Sequence, residues 1–302
     1  MPSPTASVVI TTKDRKDDLR VCLQSVAAQA GIAEILVIDD GSTDGTPAMV
    51  NAEFPRVRVV RHDTSKGYIT RRNEAARLAT GSVIVSLDDD AVFTSATTVR
   101  QTLEEFDAEN IGAVAIPYIN VNCDSRVHQL APDREAAYLT GMFIGTAYAV
   151  RRDVFLGLGG YREALFHQGE EADFCIRMLA TGFVVRLGSA DPIHHFESPK
   201  RDFRRMDYYG PRNAVLFVWQ NVPFPFVLIH LPATVARVLT MTLRPARLVT
   251  RTAGVIEGLR QFIHLERRPV SAGTYRLMRR LRTQSPPLTL SALADQLRVV
   301  GT

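Results

Sequence analysis

Along the first 120 or so residues, short apolar runs alternate with longer amphipathic stretches. Residues 7–12 (SVVITT) are rich in β-branched side chains and predict a buried strand. Residues 17–30 set Leu19, Cys22, Leu23, Val26 and Ala30 near the helical repeat and predict a helix. The same alternation continues with a strand over 34–39 (EILVID), a turn over 41–45 (GSTDG) and a short helix near 47–53. A strand over 57–62, a helix over 69–79, a strand over 82–87 (SVIVSL), a helix over 97–109 and a strand over 111–118 follow. Strands joined through helices imply right-handed crossovers, and hence an α/β fold whose sheet is mostly parallel and flanked by helices.

Beyond residue 120 the pattern is less regular. Residues 141–150 read as extended, 170–180 as a helix and 183–187 as a strand. After about residue 205 it changes again. Residues 214–243 carry a single charge, Arg237, yet contain Pro223, Pro225 and Pro232. The expected organisation is an α/β domain over residues 1–210 and a helical, arginine-rich region over 211–302.

Composition narrows the picture. A chain of 302 residues, 46% hydrophobic and 23% charged, is globular and long enough for a large core. Cys22, Cys123 and Cys175 are odd in number and far apart, which argues against a disulfide framework or a structural zinc site and for a reducing compartment. No signal-peptide core precedes the first strand, so the expected location is cytoplasmic. The net charge of +4 is unevenly spread: residues 237–282 hold eleven arginines against Glu257 and Glu266. Such a quarter suits an anionic partner. Nucleic acid is set aside, because no stacking aromatics are interleaved with the basic residues. Residues 214–243 could span a bilayer by length, but their prolines with Gln220, Asn221 and His230 interrupt them. Two readings stay open: interfacial helices on the inner face of the cytoplasmic membrane, or a helical lid on the catalytic domain with surface arginines.

The chemistry gathers where predicted strands end. Asp39 and Asp40 close the second strand, and Asp88, Asp89 and Asp90 close the fourth. Ligands of open parallel sheets bind beyond the carboxyl ends of the strands. Three adjacent carboxylates repel one another unless a cation joins them, and a hard divalent ion, Mg²⁺ or Mn²⁺, suits oxygen ligands. A bare DDD also suits a helix cap with solvated acids, but its place after a buried strand favours the metal.

These segments resemble family 2 glycosyltransferases of the nucleotide-diphospho-sugar transferase (GT-A) fold. The resemblance rests on SVVITTKDR (7–15), VIDDGSTDGT (37–46), Gly67 with RRNEA (71–75), SLDDDAVF (86–93), GGYREALFHQGEEADFCIR (159–177), HHFES (194–198) and PRN (211–213). It covers roughly residues 5–215, with the motifs in the family order. It implies a nucleotide-sugar site built from Thr11, Thr12, Lys13, Arg15, Asp39, Asp40, Gly67, Arg71, Arg72, Asp88 and Asp89. A carboxylate of Asp39 or Asp40 can accept from the ring N–H of a pyrimidine, and Arg71 or Arg72 can neutralise a diphosphate. In the family's DXD motif the first acid, here Asp88, lies near the ribose, and the last, here Asp90, chelates the metal. His195, in an H-x-x-S spacing with Ser198, is implied as a further ligand; His194 packs or binds instead.

The family's general base precedes a helix, commonly as E-D-x-D-L. Here the segment is Glu170-Glu171-Ala172-Asp173-Phe174, so Glu171 takes the base position, one methylene longer than the usual Asp. The departure lets Glu170 or Asp173 share the work. The implied reaction is metal-dependent, inverting transfer of a sugar from a nucleoside diphosphate to a hydroxyl of a sugar or lipid-linked acceptor, in cell-envelope polysaccharide or glycolipid synthesis. A dehydrogenase would need G-x-G-x-x-G after the first strand, where this chain reads TTKDRKDD. A nucleotidyltransferase would carry a glycine-rich basic loop there, and none is present. A nucleotidyltransferase lacking that loop and a catalytically inactive nucleotide-sugar binder are the alternatives.

Overall fold

The computed structural model describes residues 4–197, 202–242 and 244–294; Ser198 of the H-x-x-S spacing and Leu243 lie outside them. The first half runs β1 (Ala6–Thr12), α1 (Lys16–Ala27), β2 (Ile32–Asp39), α2 (Thr46–Glu53), β3 (Val57–Arg61), α3 (Tyr68–Leu78) and β4 (Val83–Asp88). Then come β5 (Ala91–Phe93), α4 (Thr98–Glu104), β6 (Ile111–Ala115), β7 (Tyr118–Asn120), β8 (Val127–His128), β9 (Leu139–Thr140), β10 (Ala147–Arg151) and α5 (Arg152–Gly157). The remainder is α6 (Glu170–Ala180), β11 (Val184–Leu187), β12 (Ile193–His195), α7 (Phe203–Asn221), α8 (Phe226–Thr240), α9 (Pro245–Arg260) and α10 (Ala272–Thr283).

An eight-stranded sheet in the order β3-β2-β1-β4-β10-β6-β11-β9 forms the centre. Its strands are parallel except β10 and β9, each of which runs against its neighbours. Both faces of β1 are buried, which is why SVVITT is apolar without alternation. Val8 and Ile10 pack with Leu19, Leu23 and Val26 of α1 on one face. Val9 packs with Ile69 and Ala76 of α3 and Ile176 of α6 on the other.

The register sets the site. At the carboxyl end of β1, Thr12 pairs with Asp39 of β2 and Thr11 with Asp88 of β4. The Asp88 N–H donates to the Thr146 carbonyl, so the chain entering β10 crosses the end of β4. A second sheet, β5-β12-β7-β8, stands beside this edge and sets His195 opposite Ala91, the residue after the three aspartates.

Several expected boundaries move. The helix expected over 97–109 stops at Glu104, because Glu105 turns inward to accept from the Ser189 N–H and hydroxyl. The strand expected over 111–118 divides: Pro117 has no N–H to give a ladder, and the chain passes from β6 to β7 in the other sheet. The first helix ends at Ala27 rather than 30, before Gly31 at φ +86°. Residues 141–150 contribute strand only from Ala147, and against the direction of β4.

α7 runs through residue 210 and carries the chain from the α/β body into the helical region. Val215 of α7, Val238 of α8 and Val255 of α9 form a small core of their own. α10 returns to the body, where Tyr275 and Met278 join one face of the main core and Leu281 the other. Among the described residues, no helix is long and apolar enough to cross a membrane.

Candidate active site

The carboxyl ends of β1 and β4, the first turn of α6 and the first turns of α7 enclose a cleft of about 1010 Å³. Its wall includes Thr11, Thr12, Lys13, Arg15, Asp40, Gly67, Arg72, Asp88, Asp89, Asp90, Glu170, Glu171 and His195. Sixteen residues were implied as site residues by sequence. Of those, Asp39, Arg71 and Asp173 are the ones the structure keeps off this wall.

Each of the three is held elsewhere. Asp39 is fully buried; its Oδ2 accepts from the Ser42 N–H at 3.2 Å and its Oδ1 has no partner. Arg71 donates to Asp40 at 2.6 Å, Glu74 at 3.0 Å and the Thr64 carbonyl at 2.8 Å, which fixes the loop before α3. Asp173 is clamped by Arg162, Arg177 and Asn221. It joins α6 to α7 and the 158–162 turn, while Glu170 and Glu171 face the cleft.

Asp40 shows how the loop is built. Burial would raise its carboxyl, but the Ser65 hydroxyl, the Lys66 and Gly67 N–H groups and Arg71 together hold it below the ordinary carboxylate value. Gly67, at φ +88°, makes that approach possible.

The aspartates after β4 are arranged as a graded set. Asp88, Asp90 and His195 each offer one ligand atom, and those atoms lie within 4.8 Å of one another. Oxygen, oxygen and imidazole nitrogen suit Mn²⁺, and Mg²⁺ less well for the nitrogen. His195 Nε2 is 3.2 Å from Asp90 Oδ1, and its Nδ1 is buried without a partner. Asp89 turns away, accepts from the Thr12 hydroxyl at 2.7 Å and is pushed up to about 7 by burial. Arg15 bridges Asp89 at 3.3 Å and Asp90 at 3.0 Å, a cation already drawn to this edge.

Arg72 links the aspartates to the glutamates. It is buried, donates to Asp88 at 2.6 Å and the Gly145 carbonyl at 3.0 Å, and lies 3.5 Å from Glu170. Burial pushes Glu170 up to about 8, with repulsion from Glu171 adding to it. Burial raises Glu171 as well. A Cβ on Gly145 would meet Glu171 Oε1 at 2.5 Å, so glycine lets the approach to β10 pass under this carboxylate without displacing it.

Side chains with no obvious chemistry fix this geometry. Asn73 of RRNEA donates to the Tyr161 carbonyl and accepts from the Tyr161 N–H, both at 2.8 Å. Gly160 must be glycine beside it, since a Cβ would lie 2.5 Å from Asn73 Oδ1. Asn213 of PRN donates to the carbonyls of Leu165, His167 and Gln168, at 2.9, 2.8 and 2.7 Å. That cradle holds Phe166 and Gln168 at φ +62° and +67°, strained values for non-glycine residues, directly before Glu170.

Several cleft residues escaped the sequence reading: Tyr68, whose hydroxyl lies 3.3 Å from Glu170, His167, Gln168, Arg205 and Met206. His167 is held down to about 4 by burial and then by the charge of Arg205. Its place inside the quoted GGYREALFHQGEE segment was the one signal available.

Comparison with known proteins bears on the family and the fold. The chain is 28% identical over 196 residues to the succinoglycan biosynthesis protein ExoU of Rhizobium meliloti (strain 1021), covering 58% of this chain and 57% of that protein. It is 27% identical over 184 residues to an uncharacterized glycosyltransferase of Haemophilus influenzae, covering 57% of this chain and 61% of that one. The match thus spans less than two thirds of either relative. Among solved structures, the mannosyltransferase PcManGT from Pyrobaculum calidifontis in complex with GDP-Man and Mn²⁺ superposes with a TM-score of 0.59 at 21% identity, over 91% of this chain and 79% of that one. S. aureus TarS 1-349 superposes at 0.64 with 16% identity, over 86% and 81%. The fold is GT-A. The profile described as Glycosyl transferase family 2 matches residues 7–159, just over half of the chain, and the protein belongs to that family.

Proposed function

We propose that this glycosyltransferase moves a sugar from a nucleoside-diphosphate donor to an acceptor hydroxyl with inversion at the anomeric carbon. The observation that carries the reading is the pairing, in one cleft, of an Asp88–Asp90–His195 cluster with two carboxyls of raised proton affinity, Glu170 and Glu171. The solved relatives in complex with GDP-Man and Mn²⁺, or with UDP-GlcNAc, support a donor of this class. ExoU's description places it in succinoglycan biosynthesis, which supports a role in cell-envelope polysaccharide or glycolipid synthesis.

Asp88, Asp90 and His195 would hold Mn²⁺ or Mg²⁺, and the ion when bound supplies Lewis-acid stabilisation of the departing diphosphate. Lys13 and Arg15, beyond β1, bring further positive charge to the same edge. Thr11, Thr12, Asp40 and Gly67 shape the nucleoside end. Arg72 orients Asp88 and opposes the rise that burial gives its carboxyl.

Glu171 takes the proton of the acceptor hydroxyl. The freed oxygen forms its bond to the anomeric carbon as the bond from that carbon to the phosphate oxygen breaks, and the nucleoside diphosphate leaves with the electron pair. A carboxyl whose proton affinity is raised toward neutral pH is a stronger base than an exposed one. Burial, and then the charge of Asp88, raise that affinity.

The test is a panel of uridine, thymidine and guanosine diphosphate sugars, with and without Mn²⁺, followed by release of nucleoside diphosphate and by NMR of the new anomeric centre. Metal-dependent release with inverted product supports the proposal. No release and no metal-dependent nucleotide binding across the panel would reject it.

A further inference from the structure

The outer surfaces of α8 and α9 are unlike those of the other long helices. α8 exposes Leu228, Ile229, Pro232, Ala233 and Ala236, a stripe at helical spacing without a charge until Arg237. α9 exposes Ala246, Val249, Ala253 and Ile256 in the same way, without a charge until Arg260. Leu228 and Ile229 are each 68% exposed and Val249 is 70% exposed. By contrast the exposed face of α10 carries Arg276 and Arg279. The inner faces of α8 and α9 are spent on α7 through Val215, Val238 and Val255, so the outer stripes point away from the body. Nothing among the described residues covers them.

Basic residues surround these stripes. Arg237 and Arg260 end them, and Arg244 stands at the start of α9. Arg276 lies 5.4 Å over the Phe226 ring and Arg279 is 3.2 Å from His230, which places these two arginines of α10 alongside the start of α8. An apolar strip rimmed by arginines is complementary to a surface that is negative at its headgroups and apolar beneath. A second copy of this chain would bring the same positive rim against itself.

The surface is also continuous with the cleft. Arg205 and Met206 of α7 line the cleft wall, and the next residue, Asp207, is held by Arg247 at 2.5 Å and Arg251 at 2.8 Å, both from α9. Arg247 also lies 5.5 Å over the ring of exposed Phe203. The start of α9 is therefore separated from the cleft by the first turns of α7 alone.

We infer that the outer face of α8 and α9 docks on an anionic lipid bilayer, with Phe203 and the cleft mouth at headgroup level. Docked so, the enzyme meets an acceptor sugar carried on a lipid without extracting it. The acceptor clause rests on the glycosyl-transfer reading; the docking itself does not.

The experiment is co-sedimentation of the full chain with phosphatidylcholine vesicles and with vesicles containing phosphatidylglycerol, at low and high salt. Binding is expected to the anionic vesicles only, and to weaken as salt rises. Ile229→Glu with Val249→Glu, both at exposed positions, should lower vesicle affinity tenfold or more. Arg276→Gln and Arg279→Gln should each lower it by about fivefold on anionic vesicles. Thermal melting and metal-dependent binding of nucleoside diphosphate are measured on the same samples and should not change. Absence of wild-type binding at low salt would overturn the inference, as would unchanged binding in the Glu double variant. So would a concentration-dependent dimer that the Glu variant abolishes while vesicles are ignored. Loss of nucleotide binding with vesicle binding intact would instead count against the proposed reaction.

Discussion

At the carboxyl edge of the main sheet, charge is inside. Asp89, Asp90, Arg72 and Glu170 are buried, and Asp90, Arg72 and Glu170 each lie against a charged or metal-ligating partner. On α8 and α9 the reverse holds: Leu228, Ile229 and Val249 are outside. Each arrangement costs the isolated chain free energy, since buried charges lose water and exposed apolar groups order it. The comparison teaches that the two regions are incomplete in opposite senses. One awaits a polar ligand, the other an apolar surface.

The largest effect should come from breaking the polar region. Asp90→Asn is expected to lower turnover by about a thousandfold or more while the melting temperature stays within a few degrees, and chelation of divalent metal should do the same to the unaltered enzyme. Steady-state kinetics with melting curves decide it, and near-normal turnover would remove Asp90 from the mechanism. Glu171→Gln should cost on the order of a hundred- to ten-thousandfold in kcat, with a smaller change in donor binding. If kcat is kept, the proton goes elsewhere.

A subtler probe uses pH. The reaction needs a carboxylate, whereas burial favours the carboxylic acid, so activity should rise with pH as the Glu170–Glu171 pair, with Glu170 at about 8, loses its proton. Glu170→Gln removes the carboxyl that titrates at about 8, and the part of the rising limb of kcat/KM near that pH should then disappear. A limb that stays in place would dissociate Glu170 from the base. Smaller again, Asn213→Ala should destabilise the fold by about 2–4 kcal/mol through the His167 and Gln168 carbonyls left without this donor and loosen the segment before Glu170. Denaturant unfolding measures the first effect, and a rise in KM for the acceptor the second. Smallest of all, Ile229→Glu with Val249→Glu should change release of nucleoside diphosphate in detergent-free solution by less than twofold. A larger loss would mean that the two regions are not separable.

Much of the first region was legible in the sequence because its signals are local. β-Branched runs ending in Asp39 and Asp88 made strand ends visible, and strand ends are where such sheets bind ligands. Asp173 and Arg71 carried the same motif signal as their neighbours but face the body of the protein. Which way a side chain turns from a helix's first turn depends on partners such as Arg162 and Asn221, far off in the chain. The membrane-versus-lid question over 214–243 was open for a related reason: composition gives the apolar content of a helix, not which face its neighbours leave bare.

By itself, then, the sequence determined the alternation of strands and helices, the parallel sheet and the acids at its edge, because periodicity and strand-end chemistry are properties of consecutive residues. Only the tertiary structure decided that His195 meets Asp90, that Arg72 stands between Asp88 and Glu170, and that α8 and α9 keep an apolar face outward. Those are contacts between segments up to about a hundred residues apart, made by register and packing in three dimensions, and no local pattern encodes them.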